Sequence, residues 1–210
     1  MTDANPDGAW AADVARLAAT DPDLGRAAAV AGDFEIPSRP PGFGTLLWLI
    51  IGQQISIAAA KVLFERLTET LDGAITPAGL LGLDDPTMRR CGFTRMKAGY
   101  ARGLAGALRD GSFDLDGVAG LDDEAAIAAL TAHRGVGRWT AENYLMWALG
   151  RRDVFPAGDL ALRIGWQELR GLDEPPPEAE LRQLAERWAP RRTAAAFLIW
   201  YAYLGERAGD

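Results

Sequence analysis

The chain has 210 residues, 49% of them hydrophobic, and a formal net charge of −7, and this length suits one compact domain or two tightly joined lobes. The acidic balance argues against a general polyanion binder, because nonspecific affinity for polyanions comes from Lys and Arg, although it does not exclude an enzyme with a small contact surface. The single cysteine, Cys91, excludes an intramolecular disulfide and a four-cysteine zinc or iron–sulfur site.

No targeting or membrane segment is expected. The N-terminus is acidic and lacks the apolar core of a signal peptide, and no apolar run reaches the length of a membrane span. Together with the lone cysteine, these features predict a cytoplasmic protein without a membrane partner.

Hydrophobic spacing predicts an all-α chain, because apolar residues recur at helical intervals and no strand-type alternation persists. Ser56 and Thr94 are expected N-caps, and Gly171 is an expected helix end. In chain order the predicted helices are 9–19, 43–51, one that follows Ser56 and includes 59–67, 77–81, 86–90, 94–109, 122–132, 138–149, 160–170, 178–188 and 191–204.

Basic residues are unevenly distributed, which predicts one locally positive face despite the negative total. The alternative is that they are simply solvated helix faces. They form two groups, Arg89, Arg90, Arg95, Lys97 and Arg102, and Arg134, Arg138, Arg151 and Arg152.

The sequence Gly135-Val136-Gly137 lies between two apolar-periodic segments and predicts a tight hairpin between helices. Glycine takes positive φ freely and lets a partner backbone come close. The first turn of the following helix presents unpaired N–H groups, which are a ready seat for a phosphate. Further along, Asp159 ends a Pro-Ala-Gly-Asp turn. A phosphate seat followed by a fixed carboxylate points to chemistry on a nucleic acid.

This block resembles the helix-hairpin-helix DNA glycosylases, and among them the 3-methyladenine DNA glycosylase II family. The matching pattern is Gly-Val-Gly-Arg-Trp-Thr-Ala at 135–141 and Asp-Val-Phe-Pro-x-x-Asp at 153–159. Two further stretches fit the same family, Ile-Gly-Gln-Gln-Ile-Ser at 51–56 and Trp-Ala-Pro-Arg-Arg with Ile-Trp-Tyr within 188–201. The four blocks in order make the resemblance specific.

The resemblance implies a single domain over 1–210, a two-lobed helical bundle of the helix-hairpin-helix DNA glycosylase type. One lobe would combine roughly 1–45 with 173–210, and the other would cover roughly 46–172 and contain the hairpin at 123–150. The active cleft would lie between them. The family often carries an N-terminal mixed β lobe, for which the chain before the first matching block is too short.

A glycosylase must take its target nucleotide out of the duplex. This requires contacts to the DNA backbone (the grip), a side chain that fills the vacated position in the base stack (the plug), a base pocket and a group that acts at the sugar. For the grip, the resemblance implies phosphate contacts without sequence readout. Hairpin carbonyls in this family can also hold a monovalent cation, and no other cofactor or metal is expected. The alternative is a plain packing corner between two helices. The expected DNA-binding residues here are Gly135, Val136, Gly137, Arg138 and Thr140.

The plug is expected in the turn Gln53-Gln54-Ile55, because minor-groove proteins insert wedges between base steps. The matching position in related enzymes is often apolar, whereas here it is Gln54 with Ile55 adjacent, so either residue is a candidate wedge. Gln54 could instead bond the orphaned opposite base. The alternative for the turn is a polar link between helices.

The base pocket is expected to be aromatic. The resemblance places Trp139 and Trp200 in the cleft, with Tyr201 and Gln53 close by, and an indole face attracts a cationic, alkylated purine more than a normal one. The alternative for any tryptophan is core packing. We expect core packing for the other five, which are Trp10, Trp48, Trp147, Trp166 and Trp188.

The catalytic group is expected to be Asp159. Cleavage of the N-glycosidic bond builds positive charge on the sugar, which a fixed carboxylate stabilises, or the carboxylate helps to activate water. The alternative is that Asp159 is merely a helix N-cap, and both roles are compatible. Relatives with lyase activity place a Lys two residues after the second hairpin glycine. This chain has Trp139 there, which predicts no AP lyase activity. The lone His133 is expected to be structural.

We therefore expect a monofunctional DNA glycosylase of base excision repair that removes alkylated purines, such as 3-methyladenine and 7-methylguanine, and leaves an abasic site. Its partner would be double-stranded DNA containing damaged bases, and the protein would be a nucleoid-associated monomer. One alternative is a non-catalytic helix-hairpin-helix module for DNA binding or damage recognition. Another is a glycosylase for other damaged bases, such as hypoxanthine, ethenoadenine or uracil.

Overall fold

The computed structural model describes residues 9–34 and 36–208, and every regular element in these ranges is a helix. The expected all-α fold is therefore confirmed. None of the described helices is long and apolar enough to cross a membrane. The α-helices are α1 (Ala9–Thr20), α2 (Pro22–Ala31), α3 (Phe43–Gly52), α4 (Ile57–Thr70), α5 (Pro77–Leu81), α6 (Asp85–Arg90), α7 (Arg95–Asp110), α8 (Asp123–Thr131), α9 (Arg138–Trp147), α10 (Leu160–Arg170), α11 (Glu178–Ala185) and α12 (Arg192–Ala208).

Side-chain caps fix where several helices begin and end. The hydroxyls of Ser56 and Thr94 accept hydrogen bonds from the amides of Ala59 and Lys97, each at 3.2 Å, which confirms both predicted N-caps. Gly171 ends α10 with φ 61 in the left-handed region, as predicted, because glycine has no Cβ to oppose it.

Helix α2 is absent from the predicted set, although its start carries two typical helix signals. Asp21 accepts a hydrogen bond from the amide of Asp23 at 2.9 Å, and Pro22 occupies the first turn. Gly25 brings α2 close to α1, since a Cβ there would lie 2.9 Å from the Ala18 carbonyl oxygen. Packing against α1 therefore adds to the local signals that start α2.

The described residues group into two compact units. Unit 1 falls within Met1–Ser38 and Leu145–Asp210, and unit 2 is Arg39–Tyr144. This division differs from the predicted lobes over 39–45, which belong to unit 2, and over 145–172. The second segment joins the chain ends because α10 packs against α12 and α2. The candidate carboxylate, Asp159, consequently belongs to unit 1, whereas the hairpin turn belongs to unit 2.

Helix α12 forms the centre of unit 1, where it packs against α1, α2 and α10. Its residues 194–199 are all buried. Gly165 of α10 faces α12, and a Cβ there would lie 3.0 Å from Ile199 Cγ2 and 3.1 Å from the Ile199 carbonyl oxygen. The glycine therefore sets how closely the two helices approach.

Helix α3 is the core helix of unit 2. Its side chains from Thr45 to Ile51 are all buried, and it packs against α4 and α7. Each such buried Leu or Ile contributes about 1.5–3 kcal/mol relative to an exposed one. The Tyr144 hydroxyl accepts a hydrogen bond from the Gly42 amide at 2.9 Å, which fixes the start of α3. The turn after α3 therefore extends from a well-anchored helix.

Tryptophan burial follows the sequence prediction closely. Trp10, Trp166 and Trp188 of unit 1 and Trp48 of unit 2 are buried, which confirms their role in core packing. Trp147 is half-buried.

Candidate functional site

Asp159 and Trp200 are in direct contact in unit 1. Asp159 caps α10, and its Oδ1 accepts a hydrogen bond from the Leu162 amide at 3.0 Å. The Trp200 indole Nε1–H donates to the same Oδ1 at 3.1 Å. Asp159 is therefore an N-cap. The cap orients its half-buried carboxylate and is compatible with a catalytic role. We call Asp159, Trp200 and Tyr201 the carboxylate site.

Trp200 and its neighbour Tyr201 each contact a further aromatic ring. Trp200 packs edge-to-face with Phe197, with ring centroids 5.4 Å apart, and Tyr201 stacks on Phe34 with centroids 4.4 Å apart. Trp200 and Tyr201 are both half-buried. An N–H bond lies in the plane of its indole, so the bond from Trp200 to Asp159 uses the ring edge and not a ring face.

The hairpin turn of unit 2 has a backbone that requires glycine at its first position. Gly135 has φ 93, and a Cβ there would lie 2.3 Å from Tyr100 Cγ. Val136 is buried, and its amide donates to the His133 carbonyl at 3.0 Å. Gly137 is exposed immediately before α9 begins, where the orphan amides of a helix N-terminus lie. The predicted phosphate seat therefore has the required backbone.

Gln53 belongs to the turn Gln53-Gln54-Ile55 after α3, which we call the wedge turn, and its side chain bonds this turn to the hairpin. Its Nε2 donates to the Gly135 carbonyl at 2.9 Å and to the Thr140 hydroxyl at 3.0 Å. Thr140 is only 1% exposed, so the bond lies inside unit 2. The base contact predicted for Gln53 and the DNA contact predicted for Thr140 stay predictions. A monovalent cation at Gly135 would share that carbonyl with Gln53. We call Gln53, Thr140 and the turn 135–137 the hairpin site.

The two candidate wedge residues project outward from the turn after α3. Gln54 and Ile55 are both exposed, with Ile55 at 38% of its full surface. Gln54 has φ 60, a left-handed conformation that costs a non-glycine residue about 1–2 kcal/mol. Such strain persists only where surrounding contacts impose it, and it is common at functional turns.

Arg138 is held by two carboxylates. Its Nη1 and Nη2 donate to Glu124 at 3.1 and 2.5 Å, and its Nε donates to Glu142 at 2.9 Å. The hydrogen bonds that the Arg138 guanidinium donates, first to Glu124 and then to Glu142, raise its pKa. The charge of Arg138 is thus largely compensated, and a phosphate contact by its side chain would have to displace Glu124.

A groove beside the hairpin also carries positive charge. Arg95, Tyr100 and Arg134 are among its lining residues, and its volume is about 810 Å³. Among the described residues, the lining carries no carboxylate. His133 also lines it, packs on Phe113 at 4.0 Å and has its pKa lowered by burial, which favours the structural role expected for this histidine.

Several residues that hold the site carry no motif. Most act through partners far apart in sequence, so neither spacing nor periodicity indicates them. The exception is the i, i+4 spacing of Arg138 and Glu142, which predicts an ion pair on one helix face. The sequence alone does not indicate Phe34, Tyr100, Glu124, Glu142 and Gly165 as site residues, and it indicates Lys97 only as one of a group of basic residues.

Comparisons with known proteins agree on one family. The sequence profile described as "HhH-GPD superfamily base excision DNA repair protein" matches residues 47–191. DNA-3-methyladenine glycosylase 1 of Schizosaccharomyces pombe is 34% identical over 74% of this chain and 69% of its own length. DNA-3-methyladenine glycosylase 2 of Escherichia coli is 28% identical over 85% of this chain and 64% of its own length.

A solved structure is also similar. It is that of the 3-methyladenine DNA glycosylase of Schizosaccharomyces pombe in complex with abasic DNA. The TM-score is 0.80 at 29% sequence identity, and the match covers 90% of this chain and 94% of that chain. The hairpin site and Asp159 lie inside the range matched by the family profile.

Proposed function

We propose, from the premise that the chain belongs to the HhH-GPD superfamily of base excision DNA repair proteins, that it is a DNA glycosylase that removes alkylated bases from double-stranded DNA. The observation that carries the proposal is the bond from Trp200 Nε1 to Asp159 Oδ1 at 3.1 Å, because it joins a stacking surface to a fixed anion. The names of the relatives, both DNA-3-methyladenine glycosylases, support alkylated purines as the substrate class.

The hairpin site grips the DNA backbone through amides. The turn at Gly135 and Gly137 and the N-terminus of α9 offer N–H groups to phosphate oxygens, and such contacts fix position without reading sequence. Gln54 or Ile55 fills the gap left in the stack by the extruded nucleotide. This division of labour suits an enzyme that must search any sequence for damage.

The carboxylate site performs the chemistry. The extruded base stacks on the face of Trp200, where a cationic alkylpurine gains a cation–π contribution of about 0.5–2 kcal/mol. As the glycosidic bond breaks, the electron pair leaves with the base, and positive charge develops on the sugar. Asp159 stabilises that charge and orients the attacking water. Because N3 or N7 alkylation already makes the base a good leaving group, no strong acid is needed.

We expect 3-methyladenine and 7-methylguanine to be released from methylated DNA by the wild-type protein and not by Asp159→Asn. Asparagine is an equally good N-cap, so this variant keeps the fold and loses the negative charge. Its rate should fall by roughly 10²–10³-fold with DNA affinity within about twofold. High-performance liquid chromatography of released bases measures the first quantity, and fluorescence anisotropy measures the second.

A matched control is Asp122→Asn, which changes the N-cap of α8 that accepts from the Ala125 amide at 2.9 Å. It should keep full activity. Full activity of Asp159→Asn would contradict the proposed catalytic role. Failure of the wild-type protein to release any base, with DNA binding retained, would favour the non-catalytic DNA-binding alternative.

Trp139 supports the absence of AP lyase activity, since it occupies the position where lyase relatives carry a Schiff-base lysine. Borohydride reduction during turnover should therefore trap no covalent protein–DNA adduct, and the abasic product strand should remain intact on a denaturing gel. A trapped adduct would show a second, lyase activity. We further propose that the protein acts as a monomer in the cytoplasm at the nucleoid, where its DNA substrate lies.

A further inference from the structure

Lys97 directs its charge inward, toward the wedge turn. Its Nζ donates to the carbonyl oxygens of Ile51 and Gln53, each at 2.7 Å, and burial lowers the pKa of this lysine. A cation in the first turn of its own helix, α7, opposes the helix dipole. The ammonium charge is favourable instead for the C-terminal end of α3, whose last carbonyls lack partners within that helix. Lys97 therefore stabilises the end of α3.

The carbonyl of Gln53 belongs to the peptide that leads into Gln54. Gln53 has φ −56 and ψ 127, and Gln54 then takes φ 60. Rotation of this one peptide plane would change ψ of Gln53 and φ of Gln54 together and take Gln54 out of the left-handed region. Because the ammonium of Lys97 bonds the oxygen of that plane, it opposes the rotation and holds the left-handed conformation at Gln54.

The other face of the same turn is fixed by the hairpin. The Gln53 side chain donates to the Gly135 carbonyl at 2.9 Å, while the Gln53 main chain accepts from Lys97 at 2.7 Å. One residue is thus held at both its backbone and its side chain. Gln54 and Ile55 follow it directly and are exposed.

We infer that Lys97 is a positioning residue for DNA insertion, which holds the turn in the conformation that projects Gln54 into the base stack. This role rests on the proposed function, because it assumes that the turn enters DNA. A wedge that is already ordered in the free protein loses less conformational entropy on insertion. Two of the three ammonium protons are used inside unit 2, so Lys97 differs from a lysine that binds phosphate.

The experiment uses a duplex with a tetrahydrofuran abasic analogue opposite 2-aminopurine. Unstacking of 2-aminopurine raises its fluorescence when the turn inserts, and this signal needs no base excision. We expect the wild-type protein to give a rapid rise in stopped flow, and Lys97→Met to give a rate or amplitude roughly tenfold lower. The affinity of Lys97→Met for undamaged duplex should stay within about twofold of wild type.

A double-mutant cycle separates this role from general stabilisation. Gln54→Ala alone should reduce insertion, and adding Lys97→Met should reduce it little further, because Lys97 acts through the residue at 54. Lys97→Arg, which keeps donors for both carbonyls, should restore insertion to within about threefold of wild type. If Lys97→Met does not fold, Lys97→Gln takes its place. The rate of the fluorescence rise should then be highest for wild type, lower for Lys97→Arg and lowest for Lys97→Gln.

Three results would overturn the inference. The first is a fluorescence rise as fast and as large in Lys97→Met or Lys97→Gln as in wild type. The second is that the losses from Gln54→Ala and Lys97→Met multiply in the double mutant. The third is a loss of affinity for undamaged duplex as large as the loss of insertion, which would indicate a phosphate-binding lysine. Absence of any fluorescence rise with the wild-type protein would overturn it as well. A normal rise without base release would contradict only the proposed excision activity.

Discussion

The carboxylate site of unit 1 and the hairpin site of unit 2 are built in opposite ways. In the first, the proposed acting group is a side chain, Asp159, which a backbone amide and an indole orient. In the second, the proposed acting groups are backbone amides, and the turn that carries them is held by Gln53 through the Gly135 carbonyl. On this proposal, catalysis depends on the chemistry of a side chain, and DNA contact depends on the path of the backbone.

Charge separates the two sites as well. The proposed acting group of the carboxylate site is an anion, which suits a cationic transition state. At the hairpin, Arg138 is compensated by Glu124 and Glu142, so we expect DNA contact there to rely mainly on amide dipoles. Substitutions at the carboxylate site should therefore change rate with little effect on binding, and backbone-distorting substitutions at the hairpin should change binding. Single substitutions at each site test this separation of rate from binding.

Gly135→Ala should weaken DNA binding most strongly. Alanine would need φ 93 and would place its Cβ 2.3 Å from Tyr100 Cγ, so the hairpin must shift. We expect affinity for DNA to fall by about 10–100-fold, with a loss of about 1–3 kcal/mol in the free energy of unfolding. Anisotropy titration and urea denaturation measure the two effects.

The matched control is Gly106→Ala, where a Cβ meets no atom within 4 Å. It should bind DNA normally and be slightly more stable, because alanine favours a helix interior. Unchanged DNA affinity in Gly135→Ala would show that the hairpin backbone does not grip the duplex.

Gly165→Ala is the corresponding change beside the carboxylate site. Its Cβ would lie 3.0 Å from Ile199 Cγ2 and 3.1 Å from Tyr203 Cβ, so α10 must move against α12 and carry Asp159 with it. We expect the single-turnover rate to fall by about 10–100-fold while DNA affinity stays near wild type. A selective loss of affinity would reverse the comparison between the two sites.

Trp200→Phe keeps an aromatic face and removes the hydrogen bond to Asp159. The single-turnover rate should fall by roughly tenfold, since a hydrogen bond to a charged group contributes about 1.5–3 kcal/mol. Trp188→Phe is a matched control, because it also removes an indole hydrogen bond, from Trp188 Nε1 to Asp21 Oδ2 at 2.7 Å. The control should lower stability and leave the rate unchanged, whereas equal rate losses would assign the effect to packing.

Glu124→Gln should have the smallest effect, and in the opposite direction. It releases Arg138 from an exposed ion pair, which frees a cation beside the phosphate seat. We expect DNA affinity to rise by about two- to threefold at low salt, with a steeper salt dependence. Glu65→Gln, which removes the exposed carboxylate of the Lys61–Glu65 pair, should change affinity less. Equal gains would mean that net charge alone is responsible.

Local signals were sufficient for much of the fold. N-caps at Ser56 and Thr94 and the glycine stop at 171 are encoded by one or two neighbouring residues, and the structure contains all three. The all-α class and the family followed from periodicity and short motifs. Helix α2 was missed, although the Asp-Pro pair at 21–22, a common helix start, indicates it.

From residue type and spacing alone, the sequence indicates Asp159, the glycine turn and the indoles as candidates for catalysis and DNA contact. Their hydrogen-bond partners become known only once the helices are packed. Trp200 lies 41 residues from Asp159, and Gln53 lies 82 residues from Gly135. Such pairs form only when helices pack at one particular distance and angle, which close approaches such as that at Gly165 set. The roles are therefore local in origin, and the geometry that makes them effective is a property of the whole fold.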